Sequence, residues 1–430
     1  MNMNTSSVQE IVRGGEKHDI YYYNSASLFV QQRPTLTNTK FTQALVSKNS
    51  GTSQFIFSPD QGLSDVFVMF KLKQFQGPLN PYADYALGRG WGYSFIDNIA
   101  VRYGGSSQYF WSGQQMLMEN IVDMQDAISR DTLFELGGSA AIGDDFLNQQ
   151  CAYCYINLPH NTPNGDGLKM NPLPTELLRQ PVLIQLSLKN VATCFSSTVA
   201  NSAGLPFEPV EDAYFQVRQA RMINSADLMT AQKDPMNLTY TYPLKYFAQQ
   251  EFVLRLPASS SGGTEINLTG FRNGEVRSIL LWLENTADTP VSGDASGRVY
   301  NPFSWYAPSD VQLSINGEIF YVSKYNSSLL IDLVNNKQPT RLACAPLQIS
   351  GGELVPVSGG FTSQYVKVDF SQHNDPITEN SMLVAGKTIT NSIVNLRLAT
   401  PNDNDGWVLH AVYLYNSSLV FANGGCEYTF

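Results

Sequence analysis

Ile99-Ala100-Val101-Arg102-Tyr103-Gly104-Gly105 and Val311-Gln312-Leu313-Ser314-Ile315-Asn316-Gly317 stand 212 residues apart and read alike. Each places apolar residues at every second position, the pattern of a half-buried strand. Each then reaches a Gly-containing turn and a second strand, a hairpin signature. The register extends outward. Tyr109 meets Tyr321, and upstream Phe67, Val68, Met69 and Phe70 meet Ile279, Leu280, Leu281 and Trp282. Downstream, Leu117, Met118, Asn120, Ile121 and Val122 meet Leu329, Leu330, Asp332, Leu333 and Val334, and Val182, Ile184 and Leu186 meet Val394, Leu396 and Leu398. One matching strand pair could arise by chance. Four blocks in one register, with a Gly on a Gly, read as two copies of one domain.

The elements around these blocks repeat in the same order. Phe55 and Phe57 alternate with Gln54, Ile56 and Ser58, and the turn Pro59-Asp60-Gln61-Gly62 leads into Asp65–Leu72. The second copy offers Ile266 and Leu268, a turn over 270–274, and Val276–Leu283, aligned after a one-residue gap. After each hairpin the apolar spacing becomes helical: Met116, Leu117, Ile121, Val122, Met124 and Ile128, then Leu329, Leu330, Leu333 and Val334. The Met residues read as core filling. Stretches 137–181, 286–301, 348–360 and 399–406 read as long loops. The first copy closes with Ala213–Met222, the second opens near Leu238–Tyr242, and Asn224–Asp234 reads as the linker. The expected organisation is an arm over 1–24, one β domain over 25–223 and another over 224–430. With no βαβ alternation and about eight strands per copy, the fold class is all-β: two tandem eight-stranded antiparallel jelly rolls, with short helices in the connections.

The 430 residues suffice for two cores. Aromatics are 12% and charged residues 15%, so large areas are expected to be covered by neighbours. A net charge of −10 with no basic run argues against direct nucleic-acid binding. Residues 1–15 lack the continuous apolar core of a secretory signal, and no apolar run is long enough to span a bilayer. Five Cys (Cys151, Cys154, Cys194, Cys344, Cys426) form no disulfide framework, which fits folding in a reducing cytosol. In the arm, Val8, Ile11 and Val12 give a short helical apolar face, suited to docking on a neighbour or a membrane surface.

No constellation of catalytic chemistry emerges. Cys151 and Cys154 form a lone CxxC, with His160 nearby but no second pair to complete a zinc site, and read as two buried thiols in a strand. His18, His160, His373 and His410 are scattered without the pairs that a cupin metal site or a copper monooxygenase would need. Asp144-Asp145 and Asp403-Asn404-Asp405 read as solvated turns; the latter lacks the first and last ligands of a calcium loop. No nucleophile elbow, P-loop or dinucleotide fingerprint follows a strand. Sequons start at Asn4, Asn237, Asn267, Asn326 and Asn416, but their use requires a secretory route. The reading assigns no catalytic residue, no cofactor and no metal.

The tandem architecture over nearly the whole chain, the helix after each hairpin (Gln114–Ile128; Ser327–Val334) and the closing strands over 412–421 resemble one family. It comprises the double jelly-roll major capsid proteins of tailless icosahedral double-stranded DNA viruses. The resemblance implies a viral structural protein without enzymatic activity, located in the virion. It further implies a homotrimeric, pseudo-hexagonal capsomer that tiles the shell. Implied partners are other copies of the chain, neighbouring capsomers, penton and minor capsid or cement proteins, and an internal membrane through the arm. The alternative is a carbohydrate-binding or glycoside-cleaving double jelly roll, which would expose Trp beside carboxylates in a groove. A jelly-roll amidase or monooxygenase is the third reading, disfavoured by the missing His pairs.

Overall fold

The computed structural model describes residues 9–13, 16–21, 36–39, 52–57, 62–75, 77, 79–104, 107–123, 127–148, 150–156, 158, 173, 175, 178–197, 204–220, 238–243, 247–248, 252–256, 263–285, 298–299, 305–306, 308–323, 347–350, 353–356, 365–370, 387–389, 392–400, 406–422 and 424–429. An N-terminal hairpin of β1 (Gln9–Arg13) and β2 (Glu16–Tyr21) comes first. Next come β3 (Leu36–Thr39), β4 (Thr52–Phe57), β5 (Gly62–Leu72), β6 (Tyr85–Leu87), α1 (Trp91–Phe95), β7 (Ile96–Tyr103) and β8 (Ser107–Ser112). They are followed by α2 (Gly113–Asp123), α3 (Ala127–Leu136), β9 (Ala141–Ile142), β10 (Cys151–Ile156), β11 (Val182–Leu188), β12 (Ser196–Ser197) and β13 (Val210–Ala220). Then follow β14 (Leu238–Pro243), β15 (Phe247–Ala248), β16 (Phe252–Leu256), β17 (Thr264–Leu268), β18 (Glu275–Asn285), β19 (Arg298–Val299), β20 (Trp305–Tyr306), β21 (Ser309–Ile315) and β22 (Glu318–Ser323). The chain ends with β23 (Leu347–Ser350), β24 (Glu353–Pro356), β25 (Val366–Asp369), β26 (Lys387–Thr388), β27 (Val394–Ala399), β28 (Trp407–Tyr415), β29 (Ser418–Ala422) and β30 (Gly425–Thr429).

Two sandwiches account for most of these strands. In the first, β3, β4, β5, β7, β8, β10, β11 and β13 are principal strands one to eight. They form one antiparallel sheet in the order first, eighth, third, sixth and another in the order second, seventh, fourth, fifth. In the second, β16, β17, β18, β21, β22, β25, β27 and β28 repeat both orders. That strand order is the jelly roll, present twice.

The cross-strand register repeats as closely as the order. Val101 lies opposite Tyr109 and Ile184; 212 residues on, Leu313 lies opposite Tyr321 and Leu396. Since a slip of one residue would turn every core side chain outward, burial fixes this register in both copies. The fourth-to-fifth turn differs. Three residues separate Tyr103 from Ser107, whereas Asn316-Gly317 make a two-residue turn with φ of 52° and 83°. Both residues are left-handed, the requirement of the turn whose twist suits a hairpin. A register irregularity between Leu313 and Ser314 absorbs the missing residue.

The cores follow from the alternation. Along β4, Phe55 and Phe57 are buried while Gln54 and Ile56 face out. Phe55 stacks on Phe215 of the opposite sheet at 5.7 Å, so the two layers meet through aromatic rings. In the second roll Ile266, Leu268, Leu280, Trp282, Leu313 and Leu396 are buried.

Four expectations change. The stretch 348–360, read as a loop, holds β24 and most of β23, paired as a hairpin. The stretch 137–181 is not one loop: it holds β9, a 3₁₀ turn over Gly143–Leu147 and β10, the sixth principal strand. Alternating half-buried and buried residues over Cys151–Ile156 make it a strand despite the Gly- and Pro-rich flanks. The helix expected over 114–128 is two helices, α2 and α3. The arm carries strands in place of a helical face, because β1 pairs with β14 in a five-stranded sheet ordered β2-β1-β14-β29-β30. The linker over 224–234 and the helix expected over 327–334 lie outside the described residues.

Candidate functional site

The residues with chemical potential are engaged in architecture. Cys151 and Cys154 lie three apart on β10, so they point to opposite faces: Cys154 is buried and Cys151 half-buried. They cannot share a metal. Burial pushes the Cys154 thiol well above its ordinary value and the Cys194 thiol up to about 11, so neither is a ready thiolate. His410 is buried, stacked on Trp282 with its Nε2 3.0 Å from Glu284 Oε2. Side chains of His18, His160 and His373, Cys344, and residues 403–405 lie outside the described set. Asp144 accepts a hydrogen bond from the Asn80 amide at 3.2 Å, and Asp145 caps its turn by accepting from the Ile142 N–H at 3.0 Å. Among the described residues, no three His, Cys, Asp or Glu converge on a metal position.

One buried carboxylate has the burial of a catalytic group without its freedom. Glu119 on α2 is 2% exposed. Its Oε1 accepts from the Gln115 amide at 2.7 Å and its Oε2 from the Trp111 indole at 3.3 Å. Beside it, the Asn120 amide donates to the Tyr155 carbonyl at 3.0 Å, and the Tyr155 N–H donates to the Tyr93 hydroxyl at 2.9 Å. Burial above all, with Cys154 nearby, pushes the Tyr93 hydroxyl well above its ordinary range and keeps it neutral. The network ties α2 to β8, α1 and β10, closing the crossing from the fifth strand to the sixth.

The residues that distinguish this chain from two separate sandwiches lie where the rolls meet. The C-terminal hairpin packs on the first roll at the corner formed by the turn after β7 and the segment before β11. The Arg179 N–H donates to the Gly424 carbonyl at 2.9 Å. A Cβ added at Gly424, whose φ is 76°, would lie 2.4 Å from Arg179 Cγ, so side chain and backbone both demand glycine. Tyr428 meets the fully buried Tyr103 edge to face, centroids 6.4 Å apart at 73°. Burial first, then Tyr103 and Cys426, push the Tyr428 hydroxyl well above its ordinary value. Sequence reading missed this junction. Its faint signal was Gly424-Gly425 between two apolar strands at the chain end.

Comparison with solved structures gives the fold. The PBCV-1 virus capsid matches with a TM-score of 0.57 at 12% identity, over 92% of this chain and 95% of that one. The mavirus major capsid protein matches with a TM-score of 0.52 at 8% identity, over 92% and 90%. The Faustovirus major capsid protein matches with a TM-score of 0.52 at 8% identity, over 90% and 89%. The shared fold is the double jelly roll. No family model matches the chain, and no curated protein matches it by sequence.

Proposed function

We propose that this chain is a major capsid protein: a structural, non-enzymatic subunit that associates with itself to tile an icosahedral viral shell within the virion. The observation that carries the reading is the duplicated strand order, held in one register and joined through the C-terminal hairpin, in a fold similar to viral capsid proteins along about nine-tenths of its length. Two like blocks per chain give six in a closed ring of three copies, a pseudo-hexagonal tile built from one gene product. The low fraction of charged residues suits a chain that spends its life against neighbours. On this reading the division into an arm over 1–24 and rolls over 25–223 and 224–430 is functional. Pentons, cement proteins and a membrane beneath the arm are its further partners. Among the side chains whose burial is described, Trp91, Trp111, Trp282 and Trp407 are all buried, so none of these four offers the exposed ring that the carbohydrate reading expects.

Light scattering and negative-stain imaging of the purified protein test the proposal. Hexagonal three-copy particles or closed shells are expected. A protein that stays a single chain at micromolar concentration, and forms no particle, would overturn it.

A further inference from the structure

The C-terminal hairpin carries more than the junction. β15 and β28 lie antiparallel in the second roll, with Phe247 opposite Tyr415. The same two chain segments run on as β14 and β29, with Pro243 opposite Ser418 and Thr239 opposite Ala422. A two-stranded ribbon therefore leaves the second roll and reaches the first. Its bend is pinned at Asn416, whose backbone N–H donates to the Glu275 carbonyl at 3.0 Å and whose side-chain amide donates to Glu275 Oε2 at 3.3 Å. Its far end is seated on the first roll, where the Gly424 carbonyl accepts from the Arg179 N–H and Tyr428 meets Tyr103. Leu419, Phe421 and Cys426 are buried along the way, so one face of the ribbon is packed.

The N-terminal hairpin rides on this ribbon. In the sheet order β2-β1-β14-β29-β30, β1 is paired to β14, with Ile11 opposite Tyr240 and Arg13 opposite Leu238. A two-stranded hairpin is marginal in water and holds when it joins a larger sheet with one face on a core. The dependence then runs in one line: the first roll seats β30, β30 holds β29, β29 holds β14, and β14 holds β1. Synthesis runs the other way, since β1 and β2 are made first, and β29 and β30 after the strands of both rolls.

We propose that the C-terminal hairpin is a strap whose seating on the first roll sets whether the N-terminal hairpin is held or released. With the strap seated, the sheet has five strands and a packed face. With the strap lifted, Leu419, Phe421 and Cys426 lose their cover, and the ribbon that positions β14 and β1 loses its far anchor. Local openings of this kind need only the strap and its riders to move, while the cores of both rolls stay closed. A chain interrupted before β29 has no seated sheet and so no placed N-terminal hairpin, which couples the position of one end of the fold to the making of the other. The inference stands apart from the shell reading, and neither outcome of its test bears on that reading.

The test is hydrogen exchange on the full chain carrying Gly424→Val, compared with the wild type at the same particle mass by light scattering. The added side chain meets Arg179, 2.4 Å from a Cβ at this position, and disfavours the φ of 76°, so it lifts the strap at its seat. Amides over 426–429 and over 10–13 are both expected to exchange at least tenfold faster than in the wild type, while those over 66–70 and 279–283 keep their rates. Faster exchange over 426–429 with unchanged exchange over 10–13 overturns the inference. Where the substitution does not lift the strap alone, exchange of the wild type in rising denaturant decides. Amides over 10–13 are expected to lose protection no later than those over 426–429. Protection over 10–13 that outlasts that of 426–429 overturns the inference, because the N-terminal hairpin would then be held without the strap.

Discussion

The first and second rolls share strand order and register but differ in what surrounds them, and the difference separates inherited geometry from acquired contacts. Val68 and Leu280 hold the same place on the third strand, opposite Phe215 and Val412 on the eighth. Outside the sheets the correspondence fails. The first roll places a 3₁₀ turn and β12 between its seventh and eighth strands, whereas only residues 400–406 separate β27 from β28. The first roll's corner at Gly104 is closed by Cys426 and Gly425 of its own chain, whereas among the described residues nothing lies within 4 Å of a Cβ added at Gly317. Sheets are constrained by burial on one face and hydrogen bonding at both sides, so they resist change; loops and corners adapt to neighbours.

The largest test of that equivalence is in the cores. Phe70 and Trp282 occupy matching positions, 212 residues apart, and both are fully buried. Phe70→Ala and Trp282→Ala should each cost about 3–5 kcal/mol by loss of burial and creation of a cavity. Chemical denaturation followed by fluorescence and circular dichroism checks this. If the rolls unfold as separate units, each substitution moves a different transition; if both move the same one, the junction makes the chain a single cooperative unit. A second break point belongs to the first roll. Glu119→Ala removes the acceptor used by the Gln115 amide and the Trp111 indole, at an expected cost of about 1–3 kcal/mol. Glu119→Gln keeps one carbonyl acceptor and should cost less; equal losses would show that the hydrogen bonds do not hold α2.

Legibility in the sequence follows the same division. The third, fourth, fifth and seventh strands appear at one offset because core spacing and cross-strand register preserve them. The second strand needs a one-residue gap, visible in Phe55 opposite Ile184 against Ile266 opposite Leu396. The eighth strand escaped the pattern because the loop before it is shorter in the second copy, which shifts Phe215 against Val412. Around the sixth strand, Cys151–Ile156, the two thiols read as strand residues, but flanks of loop composition hid its place as a principal strand of the sheet. Of the junction, only the Gly424-Gly425 turn left a trace in the sequence. Tyr103, Arg179, Gly424 and Tyr428 meet only after both rolls have folded, and no spacing in the chain encodes that meeting.

The junction can be sharpened by a double-mutant cycle on Tyr103 and Tyr428. Tyr103→Leu, Tyr428→Leu and the double variant should give a coupling of about 0.5–1.5 kcal/mol for the edge-to-face pair. Because that contact joins the rolls, the loss should appear as decoupling of their transitions; additive effects would mean that the ring pair does not couple the hairpin to the first roll.

The smallest effect concerns the loops of the first roll. Burial alone would raise the Glu135 carboxyl, but hydrogen bonds from Ser139 Oγ at 2.6 Å and from the Arg89 guanidinium at 2.6 and 2.9 Å hold it below its ordinary value. A carboxyl lowered in the folded state adds stability above its unfolded value, about 4.3, and loses it as the pH falls through the lower folded value. The pair is half in solvent, so Glu135→Gln should cost only about 0.2–1 kcal/mol at pH 7 and nothing well below pH 4. Melting curves of the wild type and variant should therefore converge on acidification. If the gap between them persists at low pH, the brace acts through shape rather than charge. Its contribution would then belong with the packing that the two rolls share, not with the loops that set them apart.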